Sequence, residues 1–284
     1  MVLAAATFVA NDSFMKLVLA DSPPMQVLLM RGIAATLCCL GLLLALGLGR
    51  DMARALHPWV LVRSACEVFA IFCFILALKH MPIGDVTAIA QITPLLVLVG
   101  VAMLWGETLG GTRMFLIALG LTGALLVAQP GSAGASPFVV FGFLTALGTA
   151  SRDLAGRKVP AAIPGLVVAF STIVMVMLAA GVAHAAFETW AAPTSAHATM
   201  MLAAGFLLMC GHTFVFLAVR HGSAAAVTPF SYTFTLWAVL SGWLVFGEVP
   251  NRWAVVGMLL ILSTGVASVL LHRAPAVPRA QPAA

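Results

Sequence analysis

Residues 76–80 read Leu-Ala-Leu-Lys-His, and residues 217–221, 141 positions later, read Leu-Ala-Val-Arg-His. The same offset aligns further pairs without a gap: Asp12 with Asp153, Lys16 with Arg157, Pro23 with Pro164, Val86-Thr87 with Val227-Thr228, and Gly106-Glu107 with Gly247-Glu248. Self-similarity at one fixed offset is typical of a duplicated unit. The chain therefore consists of two related halves of about equal length.

Both halves are built from long apolar segments. Of the 284 residues, 62% are hydrophobic and 8% are charged, whereas soluble domains carry about 25% charged residues. This composition excludes soluble enzymes and disordered scaffolds. A helix needs roughly 20 apolar residues to cross the hydrocarbon core of a membrane. Charged and Gly/Pro-rich positions divide the chain into ten such segments: 2–20, 24–48, 58–78, 83–105, 112–129, 137–156, 161–183, 197–219, 223–246 and 252–271.

The number of segments fixes how the halves are related. Each half holds five spans, an odd number, so the second half enters the membrane from the opposite side. We therefore predict an all-α integral membrane protein with ten transmembrane helices in two inverted five-helix repeats, 1–134 and 135–272, and a disordered cytoplasmic tail, 273–284. Inverted repeats are the architecture of secondary transporters, whose substrate sites lie near the midplane between the repeats.

The distribution of cations predicts the orientation. If the N-terminus is cytoplasmic, the outer loops hold only Lys79 and Arg252, while the inner loops and tail hold eight cations: Arg50, Arg54, Arg113, Arg157, Lys158, Arg220, Arg273 and Arg279. Cytoplasmic loops carry an excess of Lys and Arg, so both termini are predicted to be cytoplasmic. No basic cluster exceeds Arg157-Lys158, which argues against nucleic acid as a partner. The five cysteines lack the spacing of metal ligands, and no cofactor is expected.

These features resemble a known family. Ten helices in two halves, the two Gly-Glu pairs at the ends of the fourth and ninth spans, and Arg31 in the second span resemble the EamA-type drug/metabolite transporters over nearly the whole chain. Asp12, Arg152-Asp153 and the aromatic run 229–237 are similar to the aromatic amino acid exporters of that family. The resemblance implies helices around a central cavity, export of small metabolites without ATP, and a bacterial inner membrane.

Charged residues inside the spans need a partner, water or a function, because a charge is costly in lipid. Glu67 lies in the third span with Arg63 one helical turn earlier. It is either a proton-coupling or amine-recognising carboxylate, or half of a structural ion pair with Arg63. Arg31 is either an anchor for a substrate carboxylate, or a residue that forms an internal salt bridge or snorkels to the outer interface. Two i,i+4 pairs recur in the halves and serve as scaffolding or as a gate: Asp12 with Lys16, and Asp153 with Arg157.

Uncharged polar residues mark a second group of candidates. Gln91 aligns with Tyr232, and Pro94 and Pro229 lie within a turn of them. Proline frees a backbone carbonyl one turn upstream, so these positions predict a distorted helix at a substrate site, or a packing kink. Further candidates are Asn11, just before Asp12, His212 in the eighth span, and Trp237 in the aromatic run.

We expect a secondary carrier that exports small organic metabolites, with amino acids, including aromatic ones, as the first choice. Carriers of a sugar, nucleotide or drug, and then a channel or a membrane-embedded enzyme, are the alternatives. The chain has no His-Glu-x-x-His or Gly-x-Ser-x-Gly motif. The expected partners are the lipid bilayer and the substrate, with a monomer preferred over a dimer. The substrate-binding candidates are Asn11, Glu67, Gln91, His212, Tyr232 and Trp237, and the coupling or gate candidates are Asp12, Lys16, Arg31, Glu67, Asp153 and Arg157.

Overall fold

A computed structural model describes residues 1–106, 110–129, 136–221 and 228–272. Within these ranges the chain forms helices and short connections, and no strand. Glu107 of the first Gly-Glu pair and the predicted tail 273–284 lie outside the described residues, as do the side chains of Arg220 and His221. The α-helices are α1 Val2–Leu19, α2 Pro24–Ala45, α3 Pro58–His80, α4 Ile83–Ala90, α5 Thr93–Trp105, α6 Gly111–Ala128, α7 Val139–Gly156, α8 Gly165–Phe187, α9 Ser195–His221, α10 Thr233–Phe246 and α11 Arg252–His272.

Most of the predicted spans correspond to apolar helices. In the described part of the chain, eight helical stretches are long and apolar enough to cross a membrane, with α4 and α5 counted together as Ile83–Trp105. The predicted sixth span is α7, whose hydropathy is lowered by Arg152 and Asp153. Within the described residues, the predicted ninth span is a shorter apolar stretch, Phe230–Phe246. The chain is therefore a multi-pass helical membrane protein.

The fourth predicted span is broken at Gln91, between α4 and α5. Pro94 lies in the first turn of α5, where its missing N–H leaves the carbonyl of Ala90 without its helical partner. The Thr93 hydroxyl donates to that carbonyl at 2.7 Å. A 3-10 segment, Thr228–Tyr232, precedes α10 at the related place in the second half. The predicted distortion is therefore present in the fourth span.

The two Gly-Glu pairs owe their glycines to backbone conformation. Gly106 ends α5 with φ +70°, and Gly247 ends α10 with φ +65°. Both lie in the left-handed region, which glycine adopts at no steric cost at the end of a helix. The pairs thus mark the same helix end in each half.

The packing follows the 141-residue offset. α1 packs against α9, and the related helices α7 and α3 pack against each other. α2 packs against its own counterpart α8, and α6 against α11. Small residues permit these close approaches: a Cβ on Gly123 of α6 would lie 2.8 Å from the carbonyl oxygen of Gly257 in α11. Helix pairs therefore recur around the bundle in matched positions.

Two connections tie helices together outside the predicted spans. Leu48–Leu56 forms a 3-10 segment between α2 and α3, so the second helix ends earlier than predicted, at Ala45. At the other end of α2, the Glu188 carboxylate accepts the backbone N–H groups of Met25 (3.1 Å) and Gln26 (3.2 Å). A carboxylate is stabilising at a helix N-terminus, where N–H groups lack helical partners. The loop after α8 is thereby fixed to the start of α2.

Candidate functional site

A cavity of about 860 Å³ lies between the two halves, a size that accommodates drug-sized ligands. Its lining reaches Met1 and the exposed Pro160 and Ala161, so it opens at that end of the bundle. We call this the open end. At the opposite end, here called the closed end, the bundle is filled by fully buried apolar side chains, among them Met15, Leu78 and Ile83.

Most of the candidate residues line this cavity. The structure brings together seven of them, from five helices and the break after α4: Asn11, Asp12, Arg31, Glu67, Gln91, Asp153 and His212. Four others lie outside the cavity lining: Lys16, Arg157, Tyr232 and Trp237. Among the cavity residues that were not predicted candidates are Phe8 and Thr87.

Three charged side chains form a network across the cavity wall. Arg152 of α7 binds Glu67 of α3 through Nη1 at 2.8 Å, and it binds Asp153 through Nε at 2.9 Å and Nη2 at 2.8 Å. Arg63 instead donates to the hydroxyl of Thr172 at 3.0 Å. The Glu67 partner is therefore Arg152 and not the Arg63 suggested by helical spacing. Likewise Asp153 pairs with its neighbour Arg152 and not with Arg157, which is exposed.

Deeper in the cavity, three buried polar atoms lack a partner among the described residues: Nε of Arg31, Oδ1 of Asn11 and Oγ1 of Thr87. The three side chains are 5%, 1% and 6% exposed. Asn11 donates from Nδ2 to the Asp12 carboxylate at 2.8 Å. Buried polar groups are normally hydrogen-bonded, so these three atoms have unused hydrogen-bonding capacity in side chains that line the cavity. Thr87 was visible in the sequence only as part of the repeated Val-Thr pair.

Gln91 joins the two distorted helices. Its side-chain amide donates to the backbone carbonyl of Ser231 at 3.0 Å, which links the break after α4 to the 3-10 segment before α10. The side chain also borders the cavity. Gln91 thus lies both at a packing contact between the two distorted helices and at the cavity.

An aromatic wall forms another part of the cavity. The Phe8 ring stacks on Phe234 at 5.7 Å between centroids and meets the His212 ring edge-on at 5.2 Å. A Cβ on Gly211 would lie 2.8 Å from the Phe8 ring, so that glycine lets the ring approach α9. All three rings line the cavity. A lone Phe in an apolar span carries no sequence signal that separates it from a lipid-facing residue.

Tyr232 and Trp237 do not line the cavity in the described part of the chain. The Tyr232 ring packs directly on Gly265 of α11, where any Cβ would lie 2.1 Å from the ring. Its side chain is buried, and its hydroxyl has no partner among the described residues. Trp237 is half-buried against the main apolar core. The alignment of Tyr232 with Gln91 did not reveal this because the glycine that receives the ring lies on another helix.

The closed end is held by an ion pair between the first and ninth spans. Lys16 Nζ lies 2.5 Å from Oε1 of Glu248 and donates to the Met81 carbonyl at 2.7 Å. The other Glu248 oxygen accepts the backbone N–H of Ile83 at 3.0 Å. Lys16 therefore pairs with Glu248 instead of Asp12, four residues away. This network connects α1, α3, α4 and the end of α10.

Comparisons with known proteins agree with this architecture. The model of the EamA-like transporter family matches residues 1–129 and 136–271. The pseudopaline exporter of Pseudomonas aeruginosa is 28% identical over 280 residues, covering 96% of this chain and 94% of its own length. The riboflavin transporter of Rhizobium johnstonii is 30% identical over 221 residues, covering 77% and 72%.

More distant relatives extend the range of cargoes. The S-adenosylmethionine uptake transporter of Rickettsia prowazekii is 22% identical, covering 75% of this chain and 72% of its own length. A crystal structure matches the fold with a TM-score of 0.62 at 22% identity, covering 96% of this chain and 99% of that one. The named relatives are transporters of small molecules, and they include both exporters and an uptake system. The chain belongs to the EamA-like transporter family.

Proposed function

We propose that this protein exports amino acids and related small metabolites by alternating access between two inverted five-helix repeats, residues 1–134 and 135–272. Its place is the inner membrane of a bacterium, with both termini in the cytoplasm. One observation carries the proposal: a charged cavity between the two halves is open at one end and closed at the other. A carrier exposes its site to one side at a time, whereas a channel needs a continuous pore.

The orientation assigns the open end to the cytoplasm. Pro160 and Ala161 follow Arg157-Lys158, which the cation distribution puts inside. The structure then corresponds to the state that loads substrate from the cell. Relatives of this chain include an exporter and an uptake system. The direction of transport is therefore set by the substrate gradient and by any coupled ion, and not by the fold.

The residues divide into three roles. Asn11, Asp12, Arg31, Gln91 and His212 face the cavity and contact the substrate. The Lys16–Glu248 pair is the gate of the closed end. The Glu67–Arg152–Asp153 network joins α3 to α7, and protonation of one of its carboxylates would release Arg152, so it is the candidate for proton coupling.

The test is counterflow in proteoliposomes with purified protein. Vesicles preloaded with one unlabelled compound at a time, from a panel of amino acids, riboflavin and a sugar, are diluted into the same compound in labelled form. Accumulation that is saturable and depends on the internal load supports a carrier. Uptake that rises linearly without a preload effect would indicate a channel, and product formation would indicate an enzyme. Counterflow of riboflavin or the sugar alone would move the assignment to the alternative metabolite classes.

A further inference from the structure

Six charged side chains line the cavity, and four of them balance one another. Arg152, Glu67 and Asp153 form a network with one net negative charge. Arg63 also borders the cavity and interacts electrostatically with Glu67, Asp153 and Arg152, so its positive charge offsets that excess. Arg31 and Asp12 remain, with one charge of each sign.

Arg31 and Asp12 attract each other without contact. Each contributes to the electrostatic environment of the other, and Glu67 also acts on Arg31, yet no hydrogen bond or ion pair joins Arg31 to any residue that the structure describes. Opposite charges away from bulk water normally approach until they are hydrogen-bonded. The gap between them, in the wall of a cavity, is suited to a ligand that carries a negative group for Arg31 and a positive group for Asp12.

The neighbouring polar atoms fit the same division. Asn11 Oδ1 is an acceptor without a partner and lies beside Asp12, whereas the Thr87 hydroxyl can donate, as can Nε of Arg31. A guanidinium binds a carboxylate through two parallel hydrogen bonds. An ammonium group has three donors and no acceptor, which matches a carboxylate with an amide oxygen next to it.

The remaining space is large. Phe8 lies one helical turn before Asp12, on the same face of α1, so their Cβ atoms are about 5–6 Å apart. The wall of Phe8, Phe234 and His212 therefore begins close to the charged pair, and the 860 Å³ cavity continues from there to Thr172 and the open end. A cavity of this size accommodates a drug-sized molecule, so a bulky substituent has room beside the charged pair.

We propose that Arg31 and Thr87 bind the carboxylate, and Asp12 and Asn11 the ammonium, of an α-amino acid head group, and that the substrates are amino acids with a bulky substituent. This inference rests on the proposed function, because it uses the same cavity. The site would select substrates first by their head group and second by their size. Aromatic character assists through the Phe8 wall but is not required.

The test is calorimetric binding to the full-length protein in detergent. The probes are O-benzyltyrosine, its carboxamide, its N-acetyl derivative and alanine, which keep or remove the carboxylate, the ammonium and the bulk in turn. We expect O-benzyltyrosine to bind at least tenfold more tightly than each of the other three, because each lacks one recognised feature. Equal affinity for the carboxamide or the N-acetyl derivative would overturn the head-group assignment, and equal affinity for alanine would overturn the size assignment.

Variants locate the two contacts. Arg31→Gln should lower the affinity for O-benzyltyrosine to that of the carboxamide while leaving the carboxamide unchanged, which a merely structural role would not do. Asp12→Asn should lower the affinity for O-benzyltyrosine to that of the N-acetyl derivative, and it should leave the affinity for the N-acetyl derivative unchanged. Arg31→Lys, which keeps the charge, should retain part of the preference if the glutamine variant folds poorly. Arg50→Gln, at an exposed position outside the cavity, is the matched control.

The two proposals fail in different ways. Counterflow of some compound without a head-group preference in binding would contradict the subsite alone. Head-group-selective binding without counterflow of any compound would contradict the transport proposal alone.

Discussion

Lys16 and Arg157 occupy equivalent positions in the two halves, but their environments are opposite. The Lys16 side chain is 13% exposed and pairs with Glu248 and the Met81 carbonyl, while Arg157 is exposed at the open end. Similar sequence patterns thus take two arrangements within one molecule. A carrier with inverted repeats is expected to show this asymmetry in any single state, because one end is closed while the other is open. The conformational state of the molecule therefore depends on how the two repeats pair with each other, and not on either repeat alone.

Asn11 and Arg152 form a second such contrast at equivalent positions. Arg152 holds two carboxylates, whereas Asn11 leaves an oxygen without a described partner in the cavity. The first-half position therefore leaves a binding atom without a partner, whereas the second-half position holds a network that reaches across to Glu67 of the first half.

Removal of Arg152 should have the largest effect on stability. Arg152→Ala leaves Glu67 and Asp153 close together without their cation, and breaking such a pair costs about 3–5 kcal/mol when it is buried. We expect the lower end of that range, since both Arg152 and Glu67 are 24% exposed. Thermal unfolding in detergent measures the loss. Asn11→Ala, at the equivalent position, removes a single hydrogen bond to Asp12 and should lose less, about 1–2 kcal/mol; equal losses for the two variants would contradict the difference between the two positions.

The second largest effect should be the difference in stability between Lys16→Ala and Arg157→Ala. Lys16→Ala leaves the Glu248 carboxylate at the closed end without its cation, and a buried group left without its partner costs about 1–3 kcal/mol. Arg157→Ala should change stability by less than about 0.5 kcal/mol, as surface substitutions usually do. Both are measured by thermal unfolding. The exchange Lys16→Glu with Glu248→Lys should restore part of the stability lost in Lys16→Glu alone, and failure to do so would mean that the pair does not hold this end.

A smaller effect is expected at the aromatic wall. Gly211→Ala places a methyl group where the Phe8 ring lies, and overpacking typically costs about 1–3 kcal/mol. The ring has room to move into the cavity, so we expect a loss of stability at the lower limit of this range. We also expect a clear loss of affinity for bulky ligands. Gly181→Ala, with only one contact at 3.5 Å, is the control. Unchanged ligand affinity in Gly211→Ala would show that this wall does not touch the substrate.

The smallest effect should come from the helix break. Thr93→Val removes the hydroxyl that lies within hydrogen-bond distance of the Ala90 carbonyl and of the Ala146 carbonyl in α7, and hydrogen bonds between helices in membrane proteins contribute on average about 0.6 kcal/mol. Careful comparison of unfolding midpoints detects such a change. Thr122→Val in α6, whose hydroxyl bonds a carbonyl of its own helix, is the matched control and should change less.

Local sequence patterns predicted where the helices lie, but they did not predict which charged side chains pair with each other. Apolar length and proline chemistry determine spans and kinks within a few residues, so α3 and the break before Pro94 follow from the sequence. The pair of Glu67 with Arg152 does not, because it joins residues 85 positions apart whose proximity depends on how α3 packs against α7. Helical spacing suggested Arg63, yet that side chain turns to Thr172.

Side-chain direction limited the prediction of the site in the same way. Tyr232 shares its repeat position with Gln91, but its ring lies on Gly265 in a helix that the alignment does not relate to it. Thr87 reaches the cavity although it is neither charged nor aromatic. Periodicity gives the face of a helix, while the neighbour that receives a side chain is a property of the folded bundle.

The most direct test of alternating access is the accessibility of the cavity from each side of the membrane. Thr149 lines the cavity, and Thr149→Cys in a chain without its five native cysteines provides one reactive position. A membrane-impermeant thiol reagent should label it from the cytoplasmic side only, and Lys16→Ala should shift labelling toward the outer side at the expense of the inner. Labelling from both sides at once, unaffected by Lys16→Ala, would mean that the cavity belongs to a continuous pore and would contradict the account.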